Sequence, residues 1–432
     1  MEIAGKKVTI IGGQRSGMAL ARLVVCLKGI AKISDQNREE SLAQEFKEWA
    51  TQYNVDLEFN GHTQKFVQDS DLVVISPGVR LDSAPIRWAK ENNIPFLGEI
   101  EFAAQFCHKP IIAVTGSNGK TTVSTLISKV IENAGLKACL CGNVGFPFSD
   151  YVLNLEETDF VVLEVSSFQL ESILGSDSPI RKKFDIQGFH PFIAVILNFS
   201  ENHLDRHKDL QEYFMAKKRI ILNQGPDDYL VLNYQDKETQ KLATQSKSHV
   251  VCFNVPDENK ILINPNHLAV LEVGRVLKID ESCCRAVFQE FKGVEHRLEK
   301  VRCLNGVDYI NDSKATTAQS ALWALENIEQ PIVMICGGRD KNIDFTVLAD
   351  KVRQKVKSMF VIGEARAKIR QAFSELVSLE ECEGLEEAVV KAKENSSKGD
   401  CVLLSPMCAS FDMFKDFEER GRIFKEIVQK LD

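Results

Sequence analysis

The sequence predicts an α/β fold with three domains, over residues 1–97, 98–295 and 296–432. In each block, short apolar runs end at glycine-rich or Ser-Pro turns and alternate with helical patterns. That is the order of β-α units around a sheet. The 432 residues also suffice for several domains of roughly 100–200 residues each. We expect the first and third domains to be Rossmann-like.

The first block begins with a strand, a glycine turn and a helix. The predicted elements are strands at 8–11, 31–35 and 72–75 and a helix at 18–27. The turn Gly12–Gly17 has an incomplete dinucleotide fingerprint, yet it suits a pyrophosphate at a helix N-terminus. A doubly wound domain without a ligand is the alternative.

The second block carries the sequence Thr-Gly-Ser-Asn-Gly-Lys-Thr-Thr at residues 115–122, between an apolar run and a helical pattern at 123–134. Backbone N–H groups of such a loop bind phosphates, Lys120 can reach the terminal phosphates, and the Thr121 hydroxyl can hold Mg²⁺. This predicts a central P-loop ATPase-type parallel sheet in an enzyme that handles ATP or GTP. A glycine-rich surface turn is the alternative.

Two further strands of this block end in polar residues, Glu164 and Asn198. Ligands of open α/β sheets bind beyond the carboxyl ends of the strands, so Glu164 and the loop 198–207 should share a crevice with Lys120. The Glu164 carboxylate suits Mg²⁺. The alternative is that Glu164 is simply an acidic residue at the start of a helix. The polar segment 175–190 is predicted to be a loop.

Three adjacent cations, Lys217, Lys218 and Arg219, follow in a helical pattern. They are typical of a solvated face. Neighbouring positive charge also lowers a lysine pKa, which would favour a neutral amine able to take up CO₂ as a carbamate. The residues alone leave both interpretations open.

The third block has predicted strands at 331–335, 359–362 and 401–404. Charged and small residues fill its predicted loops, at 293–297, 311–316, 337–341 and 405–412. Each loop could be a simple turn, but together they suggest a wall around an anionic ligand.

Composition narrows the class of protein. The net charge is −8, which argues against a nucleic-acid partner. The twelve cysteines include no C-x-x-C pair and are typical of a reducing compartment. Without a secretory segment or an apolar stretch of about 18 residues, we expect a cytoplasmic protein that does not insert into membranes.

Many of these segments, in this order, resemble the Mur ligases over nearly the whole chain. The motifs lie at 75–78, 98–101, 115–122, 142–145, 163–171, 202–206, 216–220, 295–297, 311–316 and 403–412.

The resemblance implies a monomeric, ATP-dependent ligase that adds D-glutamate to UDP-N-acetylmuramoyl-L-alanine through an acyl phosphate. It implies ATP, two Mg²⁺ sites and a CO₂-derived carbamate on Lys217.

The resemblance also implies a role for each matching residue. The implied catalytic residues are Lys120, Glu164, His203 and Lys217. The implied metal ligands are Thr121, Glu164, His203 and carbamylated Lys217. The implied ATP contacts are Gly116, Ser117, Asn118, Gly119, Lys120, Thr121, Thr122, Asn266, Arg297 and Asp312. The implied contacts to the UDP-linked substrate are Arg15, Ser16, Asp35, Ser76, Gly78, Asn143 and His203. The implied D-glutamate contacts are Thr316, Lys341, Ser410, Phe411 and Phe417.

The chain departs from the family pattern at two places. The adenine-contacting segment is altered around Ile263–Asn266, and the uracil-site Asp-x-Arg reads Asp35-Gln36-Asn37 with Arg38 one place later. The alternatives are a ligase of the same superfamily for another amino acid or for folate, and a nucleotide-binding protein without ligase activity.

Overall fold

The computed structural model describes residues 1–39, 42, 44–143, 145–184, 186–200, 206–256, 264–291, 293–340 and 343–432. The chain forms two compact units, Met1–Phe291 and Lys292–Asp432. Within the described residues no helix is both long and apolar enough to cross a membrane. All twelve cysteines are free thiols.

The first unit opens with a parallel five-stranded sheet of order β3-β2-β1-β4-β5. Its strands are β1 (Lys7–Ile11), β2 (Ile30–Ser34), β3 (Asp56–Glu58), β4 (Leu72–Ile75) and β5 (Phe96–Gly98). Its helices are α1 (Arg15–Cys26), α2 (Gln44–Gln52), α3 (Gln64–Gln68), α4 (Ala84–Glu91) and α5 (Glu99–Ala104). The central strand β1 is buried from Val8 to Ile11, as expected for a parallel sheet covered on both faces.

A second parallel sheet in the same unit has the order β11-β10-β9-β6-β8-β7. Its strands are β6 (Ile111–Thr115), β7 (Ala138–Gly142), β8 (Phe160–Glu164), β9 (Ile193–Ile196), β10 (Tyr229–Asn233) and β11 (His249–Phe253). Its helices are α6 (Lys120–Asn133), α7 (Phe148–Tyr151), α8 (Ser167–Leu170), α9 (Pro179–Phe184), α10 (Leu210–Lys218), α11 (Lys237–Gln240), α12 (Pro265–Val276) and α13 (Glu281–Glu290). One apolar core contains buried residues of both sheets, for example Val8 and Ala113.

The second unit contains a six-stranded sheet of order β12-β13-β17-β14-β15-β16. Its strands are β12 (Glu299–Leu304), β13 (Val307–Asn311), β14 (Ile332–Gly337), β15 (Val356–Ile362), β16 (Ser378–Glu381) and β17 (Cys401–Leu404). Its helices are α14 (Ala318–Asn327), α15 (Ala349–Lys355), α16 (Arg366–Phe373), α17 (Leu385–Glu394) and α18 (Phe417–Lys430). Strands β12 and β13 form an antiparallel pair, which the apolar runs did not predict because β12 is only partly buried.

The α/β fold and its three sheets are confirmed, with two local differences. Helices α1 and α6 start three residues before their apolar patterns, because their first turns are made of polar residues that follow the glycine loops. The prediction of a loop throughout 175–190 was wrong, since α9 begins there at Pro179. Proline is favoured at the first position of a helix. The domain boundaries at 97/98 and 295/296 stay predictions.

Candidate active site

The glycine loop joins β6 to α6 as predicted. Gly119 precedes the helix with φ +82°, a conformation that favours glycine. A Cβ atom there would lie 2.6 Å from Asn266 Oδ1. Asn266, at the start of α12, therefore lies against this loop, and the neighbouring 257–263 lie outside the described residues.

The loop after β9 holds the glycine loop in place. Ser117 N donates to Asn198 O at 3.0 Å, Asn118 N donates to Asn198 Oδ1 at 2.8 Å, and Asn198 Nδ2 donates back to Asn118 O at 3.1 Å. Ser117 Oγ also donates to Ser200 O at 3.0 Å. The ends of β6 and β9 thus lie against each other at Asn198 and Ser200, while residues 201–205 of the same loop lie outside the described residues.

Two lysine amines meet on one carbonyl of this loop. Lys120 Nζ and Lys217 Nζ each donate to Gly116 O at 2.9 Å. Lys217 is 2% exposed, so the expectation of a solvated face is wrong for this residue. Its Nζ lies 4.6 Å from the centroid of the Tyr213 ring. Burial, followed by the charge of Lys120, lowers the pKa of Lys217 well below its usual range, which favours the neutral amine.

Glu164 ends β8 and pairs in register with Val114 of β6, so its carboxylate lies beside the strand that leads into the glycine loop. Asn143 Nδ2 donates to Glu164 Oε1 at 2.7 Å. Glu164 Oε2 is buried without a hydrogen-bond partner among the described residues. An unsatisfied buried carboxylate oxygen is costly and is a ligand that Mg²⁺ prefers. Thr121, in the first turn of α6, is also buried.

His203, predicted as a catalytic, substrate and metal residue, lies outside the described residues, as does Lys341, predicted for D-glutamate. The remaining predicted metal ligands, Thr121, Glu164 and Lys217, all belong to the second sheet and its helices.

A cavity of about 700 Å³ in the first unit is lined by the other residues predicted for the UDP-linked substrate. They are Arg15, Ser16, Asp35, Ser76, Gly78 and Asn143. The Asp35 carboxylate accepts from Gly13 N at 2.5 Å and from Asn37 N at 2.7 Å. It therefore fixes the two backbone turns that form this wall.

Gln36 and Asn37, which follow Asp35 in the altered uracil-site motif, line the same cavity, and so does His62, which sequence reasoning missed. The His62 Nδ1 atom lies 2.7 Å from Ser34 Oγ, and burial lowers the pKa of this histidine. His62 follows β3, a strand of three residues that is too short to show an apolar pattern. Arg38 is exposed and is not among the residues that line the cavity.

In the second unit, Asp312 follows β13 and is 4% exposed. Its carboxyl group accepts from Leu298 N at 3.2 Å and from Ser405 Oγ at 2.9 Å. Burial raises the pKa of Asp312 to about 7. The Arg297 guanidinium lies 5.5 Å from the centroid of the Trp323 ring.

Arg420 is a buried residue that sequence reasoning missed. It contacts Ser313 and Cys408, which lie within three positions of Thr316 and Ser410, two of the residues predicted for D-glutamate. The guanidinium donates to Ser313 Oγ at 3.0 Å, to Ser313 O at 2.9 Å and to Cys408 O at 3.3 Å. Ser313 Oγ in turn donates to Phe417 O at 2.8 Å. Of the other predicted residues, Ser410 is buried, Thr316 is half-buried and Phe411 is 56% exposed.

Family models match most of the chain. Residues 6–98 match the model described as "Mur ligase MurD-like, N-terminal domain", residues 114–280 match "Mur ligase middle domain", and residues 296–408 match "Mur ligase, glutamate ligase domain".

Curated relatives match over the full length. The proteins named UDP-N-acetylmuramoylalanine--D-glutamate ligase of Thermoanaerobacter sp. (strain X514) and Caldicellulosiruptor saccharolyticus are 37% and 36% identical, and each alignment covers 100% of both chains. Among solved structures, the UDP-N-acetylmuramate-alanine ligase of Thermotoga maritima has a TM-score of 0.59 at 19% identity and covers 98% of this chain and 99% of its own. E. coli FolC in complex with ADP has a TM-score of 0.56 at 14% identity, covering 81% of this chain and 99% of its own. These structures support the fold.

Proposed function

The chain belongs to the Mur ligase family, and from this premise we propose that it uses ATP to join D-glutamate to UDP-N-acetylmuramoyl-L-alanine, in peptidoglycan precursor synthesis. The activity for which its full-length relatives are named supports this substrate pair. The observation that carries the proposal is the pair of lysine amines on Gly116 O, at the end of a strand whose neighbour ends at the buried Glu164.

The proposed ATP site is the glycine loop, residues 116–122. Its backbone N–H groups and Lys120 would hold the phosphates, and Asn266, which lies against Gly119, would face the adenine side. In the second unit, Arg297 and Asp312 are the residues proposed for ATP.

Magnesium fits the oxygen ligands of this site. Glu164 Oε2 is buried without a partner among the described residues, and the Thr121 hydroxyl lies in the first turn of α6. We propose Thr121 and Glu164 for one ion and His203 with carbamylated Lys217 for a second. Bound Mg²⁺ neutralises the charge that develops on phosphate oxygens.

The carbamate on Lys217 is supported by the lowered pKa of the amine. A neutral amine adds to CO₂, and the resulting carbamic acid loses a proton to give an anion. The modification would therefore replace a buried neutral amine next to Lys120 with a negative group able to bind a metal.

The reaction then needs two displacements. The substrate carboxylate attacks the γ-phosphorus of ATP, ADP leaves, and an acyl phosphate forms. The neutral amine of D-glutamate adds to the carbonyl carbon of the acyl phosphate, and its nitrogen gives up one proton to solvent. Collapse of the tetrahedral intermediate then expels phosphate and leaves an amide. Lys120 stabilises the phosphoryl oxygens through both steps by its fixed charge.

The 700 Å³ cavity is the proposed site of the UDP-linked substrate, with Arg15, Ser16, Asp35 and Asn143 among its walls. In the second unit, Thr316, Lys341, Ser410, Phe411 and Phe417 are proposed to bind D-glutamate. We place the reaction in the cytoplasm, which suits free thiols, and propose that the enzyme is a monomer.

Phosphate release tests the function directly. Purified protein is supplied with UDP-N-acetylmuramoyl-L-alanine, D-glutamate, ATP and Mg²⁺, and each component is omitted in turn. We expect release to require all four components. Release that does not depend on D-glutamate, or that is faster with L-glutamate or diaminopimelate, would contradict the proposed substrate. No release under any condition would favour a nucleotide-binding protein without ligase activity.

A further inference from the structure

Glu99 connects the first sheet to the wall of the 700 Å³ cavity. It is the first residue of α5, directly after β5, and is 2% exposed. Its Oε1 atom accepts from Ser149 N at 3.0 Å and from Ser149 Oγ at 2.9 Å. Both hydrogen bonds are buried, so their loss would leave polar groups of Ser149 unsatisfied.

Ser149 lies directly after the cavity wall. It is the second residue of α7, and the preceding segment supplies Gly142, Asn143, Gly145 and Pro147 to the cavity lining. Asn143 also donates to the Glu164 carboxylate. A shift of Ser149 would therefore displace the cavity wall, and through Asn143 it would also affect Glu164, the proposed metal ligand.

The junction that carries Glu99 has little freedom to move. A Cβ atom on Gly98 would lie 1.9 Å from Ser172 Oγ, so the backbone is pressed against the segment after α8. Glu99 also shares a cavity of about 10 Å³ with Ser76, Pro77 and Gln169, which all line the larger cavity as well.

We propose that Glu99 is a positioning residue for the UDP-linked substrate, because its carboxyl group fixes Ser149 and thereby the wall formed by Gly142, Asn143, Gly145 and Pro147. This inference rests on the proposed function. It predicts that loss of the carboxyl group weakens binding of the UDP-linked substrate and leaves ATP binding unchanged.

Glu101 provides a matched control. It lies on the same helix, is 0% exposed, and accepts from Phe189 N at 3.1 Å, but it does not line the cavity. Both glutamates have a pKa raised by burial, so glutamine is a close neutral substitute for either.

The experiment compares Glu99→Ala, Glu99→Gln and Glu101→Ala. Affinity for UDP-N-acetylmuramoyl-L-alanine is measured by calorimetry, KM for each substrate by phosphate release, and stability by thermal melting. We expect Glu99→Ala to weaken that affinity about tenfold, with KM for ATP within about twofold of the wild type. Glu99→Gln should restore the affinity, because its amide oxygen still accepts from Ser149. Glu101→Ala should lower the melting temperature without changing the affinity.

If the wild type is active but Glu99→Ala and Glu101→Ala change the affinity equally, the positioning role is overturned and the proposed function stands. A wild-type protein that does not bind the UDP-linked substrate would overturn the proposed function and, with it, this inference.

Discussion

Two buried cations, Lys217 in the first unit and Arg420 in the second, lie beside predicted ligand residues in very different surroundings. Arg420 donates to both oxygen atoms of Ser313 and to the carbonyl of Cys408. Lys217 Nζ donates to Gly116 O, which also accepts from Lys120, and none of the described acidic side chains forms an ion pair with it.

The pKa values separate the two cations. Burial lowers the pKa of Arg420 to about 10, so its guanidinium stays charged at neutral pH. The pKa of Lys217 falls well below its usual range. A buried cation with several hydrogen-bond partners holds loops together, whereas a buried amine crowded by a like charge is available for chemistry.

The largest expected effect is that of Lys217→Ala on activity. If the carbamate binds a metal, its loss should lower kcat by about 10²–10³-fold, and short carboxylates such as acetate should restore part of it. Lys218→Ala is the control, because Lys218 Nζ donates to Gln245 on the exposed side of α10. Phosphate release measures both variants, and unchanged activity in Lys217→Ala would rule out the carbamate role.

Arg420→Met tests the structural side of the comparison. It removes the donors to Ser313 O and Cys408 O, so the free energy of unfolding should fall by about 2–4 kcal/mol. Urea denaturation measures the change, with Arg422→Met as the control because Arg422 is exposed on the same helix. If the free energy of unfolding falls equally in the two variants, the hydrogen bonds of buried Arg420 do not contribute to stability.

The pH dependence of stability should differ between the two cations. The folded pKa of Lys217 lies below the unfolded value near 10.5. Between these values the unfolded chain binds more protons, so stability rises with pH. Relative to Lys217→Met, wild-type stability should increase by at most about 1.4 kcal/mol per pH unit between pH 7 and 9.

The difference between wild type and Arg420→Met should stay constant over that range, since Arg420 remains protonated in both states. Denaturation is followed in CO₂-free buffer, so that carbamylation does not contribute. A difference between wild type and Lys217→Met that does not change with pH would mean that the buried amine keeps its proton.

The smallest effect is expected at Phe411. Its side chain is 56% exposed, so Phe411→Ala should change the free energy of unfolding by less than about 0.5 kcal/mol. If it contacts D-glutamate, KM for D-glutamate should rise a few-fold. Met413→Ala, at a second exposed side chain nearby, is the control, and an equal KM change in both would contradict a specific contact.

Much of the fold was predictable because its signals are local. The buried runs that became β4 and β17 have the bounds predicted for them, Leu72–Ile75 and Cys401–Leu404. The glycine loop between β6 and α6 was predictable for the same reason, since strand, turn and helix signals follow one another within about twenty residues. Helix α9 and strand β12 were not, because neither has an apolar pattern of its own.

The sequence by itself determined the order of the elements and the kinds of side chain at the strand ends. Only the tertiary structure decided which of these side chains meet. Lys217 contacts Gly116, 101 positions away, and Arg420 contacts Ser313, 107 positions away. Such contacts depend on the order of strands in a sheet and on which helix face is buried, and no local pattern contains that information. A lysine in a run of charges is therefore predicted to be exposed until the packing of α10 shows it to be buried.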